Sequence, residues 1–124
     1  MELIIVTIVM GVIMSIAIPK FTKTSEMTKS TEGVKILEAL WKGQEAYKLE
    51  NGDYTADLNM IDVDLPSAPK YFNAPIADFT CGQVGSIERQ GSLYTLYVDI
   101  NGNFTCGDGG SGICAQTALD PYPC

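Results

Sequence analysis

The chain contains no histidine, few cations and no CxxC pair. Without histidine there is no Ser-His-Asp or Cys-His nucleophile system and no Cys/His zinc finger. Without CxxC a zinc ribbon or a dithiol redox centre is not expected. Lys and Arg number 8 against 15 Asp and Glu, a formal net charge of −7. Such a charge opposes a phosphate backbone, so no nucleic-acid partner is expected. The 124 residues amount to one domain's worth of chain.

The charges that are present fall into zones. Glu2 stands alone at the start. Residues 20–50 hold six Lys and five Glu, net +1. Residues 51–124 hold nine acids against Lys70 and Arg89, net −7. An acidic end favours solubility and disfavours anionic surfaces. The apolar residues are also uneven, with fourteen of the first nineteen positions apolar.

Residues 3–19 read LIIVTIVMGVIMSIAIP, with no charge. As a helix this run spans roughly 26 Å, a little short of a bilayer core of about 30 Å. A secretory signal would need a basic segment ahead of the run, and here Glu2 precedes it. The expectation is a membrane-resident helix. Glu2 fits two roles. It can sit near the headgroups, where the helix dipole favours an anion, or it can meet a cation from another subunit. Thr7, Gly11 and Ser15 recur at a spacing of four and form a small-xxx-small stripe on one helix face. Pro19 removes the hydrogen bond its N–H would give to the carbonyl of Ser15.

The segment MELIIVTIVMGVIMSIAIPKF resembles the N-terminal helix of type IV pilins and type II secretion pseudopilins. The resemblance rests on Glu2, the apolar run, Gly11 and the closing AIPKF, and it covers about twenty residues. It implies that a prepilin peptidase cleaves a leader and that the new N-terminus is methylated. It also implies that Glu2 pairs with the N-terminal amine of a neighbouring subunit, and that the helix partly melts between Gly11 and Pro19 in the filament. The partners it implies are further copies of the chain, the inner membrane before assembly, and the pilus assembly machinery. In the family this glutamate is fifth in the mature chain. Here only Met1 precedes it, and the expectation is that three mature residues and the leader are missing ahead of it.

Residues 20–50 are expected to continue the helix. Lys23, Glu26, Lys29, Glu32, Lys35, Glu38, Lys42, Glu45 and Lys48 alternate in sign at steps of three or four. Such neighbours face each other on a helix, each pair contributing about 0.2–0.5 kcal/mol. This ladder bridges Thr22–Thr31, which is rich in the poor helix formers Ser and Thr. Ile36, Leu37, Leu40, Trp41 and Tyr47 then form an apolar face that should cover a sheet, with Trp41 in the core. Asn51-Gly52 is the stop signal.

A loop follows, and ENGDYTADLNMIDVDLP resembles the connecting loop of pilins. Strands are expected at Tyr71–Phe79, Ser86–Arg89, Leu93–Ile100 and Phe104–Cys106, with a type I′ hairpin turn at Asn101-Gly102. The fold class expected is therefore α+β, a long N-terminal helix whose C-terminal half packs on a small antiparallel sheet, as in pilins. Three parts are expected: residues 1–22 as the hydrophobic helix, 23–52 as its amphipathic continuation, and 53–124 as the acidic head.

Cys81, Cys106, Cys114 and Cys124 all lie in the head, and four cysteines in an exported domain read as two disulfides. Three pairings are open. The favoured one joins Cys106 to Cys114 and Cys81 to Cys124. Closing loops of these lengths contributes about 2.6 and 4 kcal/mol respectively.

Two motifs are set aside. The run from Gly107 to Gly112 matches GxGxxG but is followed by too little chain for a dinucleotide site. Asp99, Asn101 and Asn103 begin like a calcium loop, but Phe104 and Gly110 stand where the EF-hand needs Gly and Glu. A calcium site of another kind at Asp99 or Asp108 is the only cofactor alternative, and otherwise no cofactor, no metal and no enzymatic activity are expected.

The leading functional expectation is a structural subunit of an extracellular type IV pilus-like filament. The alternatives are a pseudopilin of a type II secretion system and a membrane-anchored binding protein or enzyme. Thr55-Ala56 follows Asn51-Gly52-Asp53-Tyr54, where major pseudopilins carry a proline-threonine signature, and this tilts the resemblance towards pilins.

Overall fold

The computed structural model describes residues 1–124 apart from Ala68, Ala118 and Cys124, and apart from the side chains of residues 16–24. The fold is α+β. Helix α1 (Glu2–Asn51) is followed by a four-stranded sheet of β1 (Gln83–Glu88), β2 (Thr95–Asp99), β3 (Phe104–Gly107) and β4 (Asp120–Pro121), in the order β1-β2-β3-β4. The described side chains of α1 form two stretches, 2–15 and 25–51, of which the second packs on the sheet.

The packed stretch buries Ser30, Gly33, Ile36, Leu37, Leu40 and Gln44, a stripe at steps of three and four. Leu37 is wholly buried in a cluster with Phe72, Val84, Ile87, Leu96 and Val98, and Leu40, equally buried, lies over Gly85 of β1. The close approach is made at Gly33, where a Cβ would stand 2.7 Å from Cζ of Phe72. Trp41 is partly buried against this core and its Nε1–H donates to the carbonyl of Ile100 at 3.4 Å. Gly52 ends the helix in a left-handed conformation, φ +89°, with its N–H donating to the carbonyl of Lys48 at 2.7 Å.

Three expectations about the sheet need correction. It is mixed and not antiparallel, because β3 and β4 run parallel while β1–β2 and β2–β3 are antiparallel. Tyr71–Phe79 is not a strand of the sheet. It makes two isolated bridges, Ile76 to Ser86 in β1 and Phe72 to Arg89 just beyond it. Pro75, between the bridges, has no N–H to give to a ladder.

The turn between β2 and β3 is not type I′, which would need positive φ at Asn101. Among the described residues only Cys81 and Ser92 are non-glycines with positive φ. Instead the N–H of Gly102 donates to the carbonyl of Asp99 and the N–H of Asp99 to that of Asn103. This three-residue loop has glycine at the left-handed position, φ +81°.

Candidate functional site

The first stretch of α1 is the most unusual surface of the molecule. Between Leu3 and Met14 every large apolar side chain is at least 51% exposed. They point in all directions, so no face of this stretch is covered. Soluble monomers rarely expose a contiguous apolar patch on this scale. Burying ten such side chains more fully would contribute on the order of 10 kcal/mol.

The stretch is also prepared for an apolar environment. Its two hydroxyls are both satisfied within the helix. Thr7 Oγ1–H donates to the carbonyl of Ile4 and Ser15 Oγ–H to that of Val12, each at 2.8 Å. A polar group without a partner would be costly in an apolar medium, and here neither hydroxyl needs one from outside.

Thr7, Gly11 and Ser15 are brought onto one side of α1 by their spacing of four. A Cβ added at Gly11 would meet nothing within 4 Å, so the groove at that point is open. Glu2 lies in the first turn of α1, near the positive end of the helix dipole. Among the described residues it has no ion-pair partner. The expected apolar span extends to Pro19, but the side chains of residues 16–19, Pro19 included, lie outside the described ones. Among the described residues no helix is long and apolar enough to cross a membrane.

In the head, Cys106 and Cys114 form a disulfide with a Cα–Cα distance of 5.7 Å, closing the loop between β3 and the short helix Ile113–Gln116. Inside that loop the Asp108 carboxylate accepts from the N–H groups of Gly110 and Cys114, both at 2.9 Å. The bond from Cys114 and then that from Gly110 hold its pKa below the usual carboxylate value. Cys81 is disulfide-bonded, and its expected partner, Cys124, lies outside the described residues. The GxGxxG stretch is thus part of a bridged loop beginning in β3.

Asp99 is equally occupied. Oδ1 accepts from the N–H groups of Asn101 and Asn103, and Oδ2 from Asn103 Nδ2. Burial pushes its pKa up, but these bonds outweigh burial and the net shift is downward. The carboxylates considered for calcium are therefore engaged in holding turns. Among the described residues no cluster of three His, Cys, Asp or Glu side chains is placed to hold a metal ion.

The sequence did not indicate how the charge ladder is used. Lys29–Glu26 and Lys42–Glu38 form pairs along the helix, at 3.5 and 2.7 Å. Members of the ladder also reach the head. Glu26 meets Arg89 Nη2 at 3.5 Å and accepts from the Tyr94 hydroxyl at 3.4 Å. Burial first, then the charge of Glu26, pushes the Tyr94 hydroxyl up to about 12. Glu45 accepts from the Tyr54 hydroxyl at 2.6 Å. The wholly buried Gln44 takes both backbone groups of Thr55, giving Nε2–H to the carbonyl at 2.7 Å and accepting the N–H at 3.0 Å. The available signal was a polar residue on the buried face, four positions after Leu40.

No family model matches the chain, and no curated protein or solved structure matches it either.

Proposed function

We propose that this chain is a pilin-like structural subunit, which polymerises through its N-terminal helix into an extracellular filament of the type IV pilus kind. The observation that carries the reading is the uncovered apolar stretch of residues 2–15, with both of its hydroxyls satisfied internally. A surface of this kind gains stability only when other apolar surface surrounds it. In a filament that surface is the same stretch of other copies, approaching closely at Thr7, Gly11 and Ser15. Before assembly it is the inner membrane. The α+β head with its pilin-like order of helix and then sheet is consistent with the reading. So is the bridged, acidic head, which suits an exterior surface.

In this reading Glu2 supplies the one charge at the edge of the apolar core and pairs with the N-terminal amine of a neighbouring copy. Prepilin peptidase and the pilus assembly machinery are the partners in maturation. The activity is assembly and no catalysis is assigned.

The test is electron microscopy of filaments sheared from cells that express the chain, with peptide identification of the filament protein. Filaments composed of this chain are expected. The Glu2→Gln variant should fold its head normally and yield little sedimentable filament. Normal yield from that variant would refute the role of Glu2, and the absence of this chain from any filament would refute the reading.

A further inference from the structure

The sheet turns one face to α1 and the other away from it. The helix side carries Val84, Ile87, Leu96 and Val98. Alternation then sends Ser86, Glu88, Thr95 and Tyr97 to the opposite side. The register sets Ser86 against Tyr97 and Glu88 against Thr95. Residues 73–78 run along the edge of β1. The N–H of Asn73 donates to the carbonyl of Glu88 at 2.8 Å, and Ile76 exchanges both backbone bonds with Ser86 at 3.0 Å. Between this wall and the sheet is a cavity of about 350 Å³, whose polar lining is Asn73, Asp78, Ser86, Glu88, Thr95 and Tyr97. Tyr97 is fixed by stacking on Tyr122, with ring centroids 4.2 Å apart.

The lining holds two carboxylates, and among the described residues no Lys or Arg lines the cavity. Among the same residues neither Asp78 nor Glu88 has an ion-pair partner. The Asn73 amide donates to Glu88 Oε2 at 2.9 Å, and Asp78 accepts from the N–H and hydroxyl of Thr80 at 3.0 and 2.6 Å. Burial first, and among lesser causes the charges of both carboxylates, holds the Tyr97 pKa above the usual phenol value. Both acids are therefore felt at one hydroxyl. Ser86 is an independent sign. It is 3% exposed, and its N–H and carbonyl are taken by Ile76. Among the described residues its hydroxyl, which lines the cavity, has no hydrogen-bond partner. Buried hydroxyls are rarely left so, and this one is placed to bond whatever enters.

These features select a class of ligand. A cavity with two carboxylates and no cation repels an anion. A metal ion would want more acids than two, and no cluster of three is present among the described residues. The volume also exceeds by about tenfold the ~30 Å³ share of a single water, far more than a bare ion fills. What fits is a molecule that brings positive charge and N–H donors together. We propose that this cavity binds a small organic amine, an alkyl diammonium whose charges meet Asp78 and Glu88 and whose N–H groups donate to the hydroxyls of Ser86 and Tyr97. The net charge of −7 draws such cations to the chain. The site lies on the face away from α1 and uses none of residues 2–15, so it stands apart from the filament reading.

The test is calorimetric titration of the full chain, held in a nonionic detergent, with 1,4-diaminobutane. One-to-one binding with a Kd of about 1 mM or tighter is expected. Asp78→Asn and Glu88→Gln keep an acceptor for Thr80 and Asn73, and each should weaken binding about tenfold. Ser86→Ala should weaken it about threefold. Glu50→Gln removes one charge outside the cavity and should leave binding unchanged. Formation of the Cys106–Cys114 bridge in each variant checks that the head folds. No saturation at about ten times the expected Kd, parental affinity in Glu88→Gln, or an equal loss in Glu50→Gln would overturn the site. Equal binding of uncharged 1,4-butanediol, or tighter binding of calcium ion that the same variants abolish, would overturn the amine as its ligand.

Discussion

Two glycines of the same helix should respond differently to alanine. On helix propensity alone each Gly→Ala change gains about 1 kcal/mol. At Gly33 the new methyl would stand 2.7 and 2.9 Å from Cζ and Cε1 of Phe72 and 2.8 Å from Cδ1 of Leu96. Both neighbours are fully buried, Phe72 at 1% exposure and Leu96 at 0%, so neither can swing into solvent. Overpacking of this kind costs about 1–3 kcal/mol, and contact with three atoms of two locked side chains argues for the upper part of that range. The cost exceeds the propensity gain, and Gly33→Ala should be destabilising by about 1–2 kcal/mol.

Gly11→Ala meets nothing within 4 Å, so it should leave the unfolding of the head unchanged. If Gly11 marks a close helix approach, however, the same change should lower filament yield. Urea unfolding of the full chain, followed by far-UV circular dichroism, measures the first pair of effects. A Gly33→Ala protein with the parent's midpoint or a higher one would refute the packing argument, because it would mean that Phe72 and Leu96 can move aside.

Replacing Cys106 and Cys114 together by Ser should cost about 2.6 kcal/mol, the closure entropy of a loop this short; urea midpoints of the variant and the parent, both without reductant, measure it, and an unchanged midpoint would refute it. Gln44→Ala leaves the N–H and carbonyl of buried Thr55 without partners. That should cost roughly 2–4 kcal/mol, read from the same unfolding curves. Asp99 has a lowered folded pKa, so its ionised form is favoured by the fold. Its contribution to stability is complete above about pH 4 and is lost as pH falls through the folded value. Stability measured from pH 7 to pH 3 should therefore fall less steeply in Asp99→Asn than in the parent across the acid range.

The elements most legible in the sequence are those specified by a repeated local pattern. Charges alternating at steps of three or four leave the helix as their natural arrangement, even across Thr22–Thr31. Leu37 and Leu40 mark its buried face. LYTLYVDI, with β-branched and aromatic residues, contains β2. The Cys106–Cys114 bridge was legible from its short, glycine-rich loop.

What was misread depended on single side chains acting over short range. Asn101-Gly102 suggested a two-residue turn, but the Asp99 carboxylate collects the N–H groups of Asn101 and Asn103 and makes the loop one residue longer. Tyr71–Phe79 has strand-like composition, and Pro75 reduces it to two bridges. Strand β4 is only two residues long and includes Pro121, too short for any alternation to show. Gln44 and Arg89 were missed because their partners, Thr55 for one and Glu26 with Tyr71 for the other, are fixed only once the helix lies on the sheet.

The two parts of α1 serve unlike purposes, and the chemistry keeps them separable. Along the described helix the first buried side chain is Ser30. Among the described residues the helix meets the head from Glu26 onward, through Tyr94 and Arg89 and then the buried stripe, and the exposed stretch 2–15 contributes none to the stability of the head. The head stabilises itself with Leu37, Leu40, a sheet and a bridged loop. The exposed stretch gains its stability only from what surrounds it. If the proposed filament forms, a substitution at Glu2, Thr7, Gly11 or Ser15 therefore acts on association without the confounding effect of a damaged fold. A substitution at Gly33 or Gln44 does the reverse, lowering the amount of folded subunit and only through it the amount of filament. Yield normalised to folded subunit should distinguish the two classes: it should fall for the first and stay constant for the second.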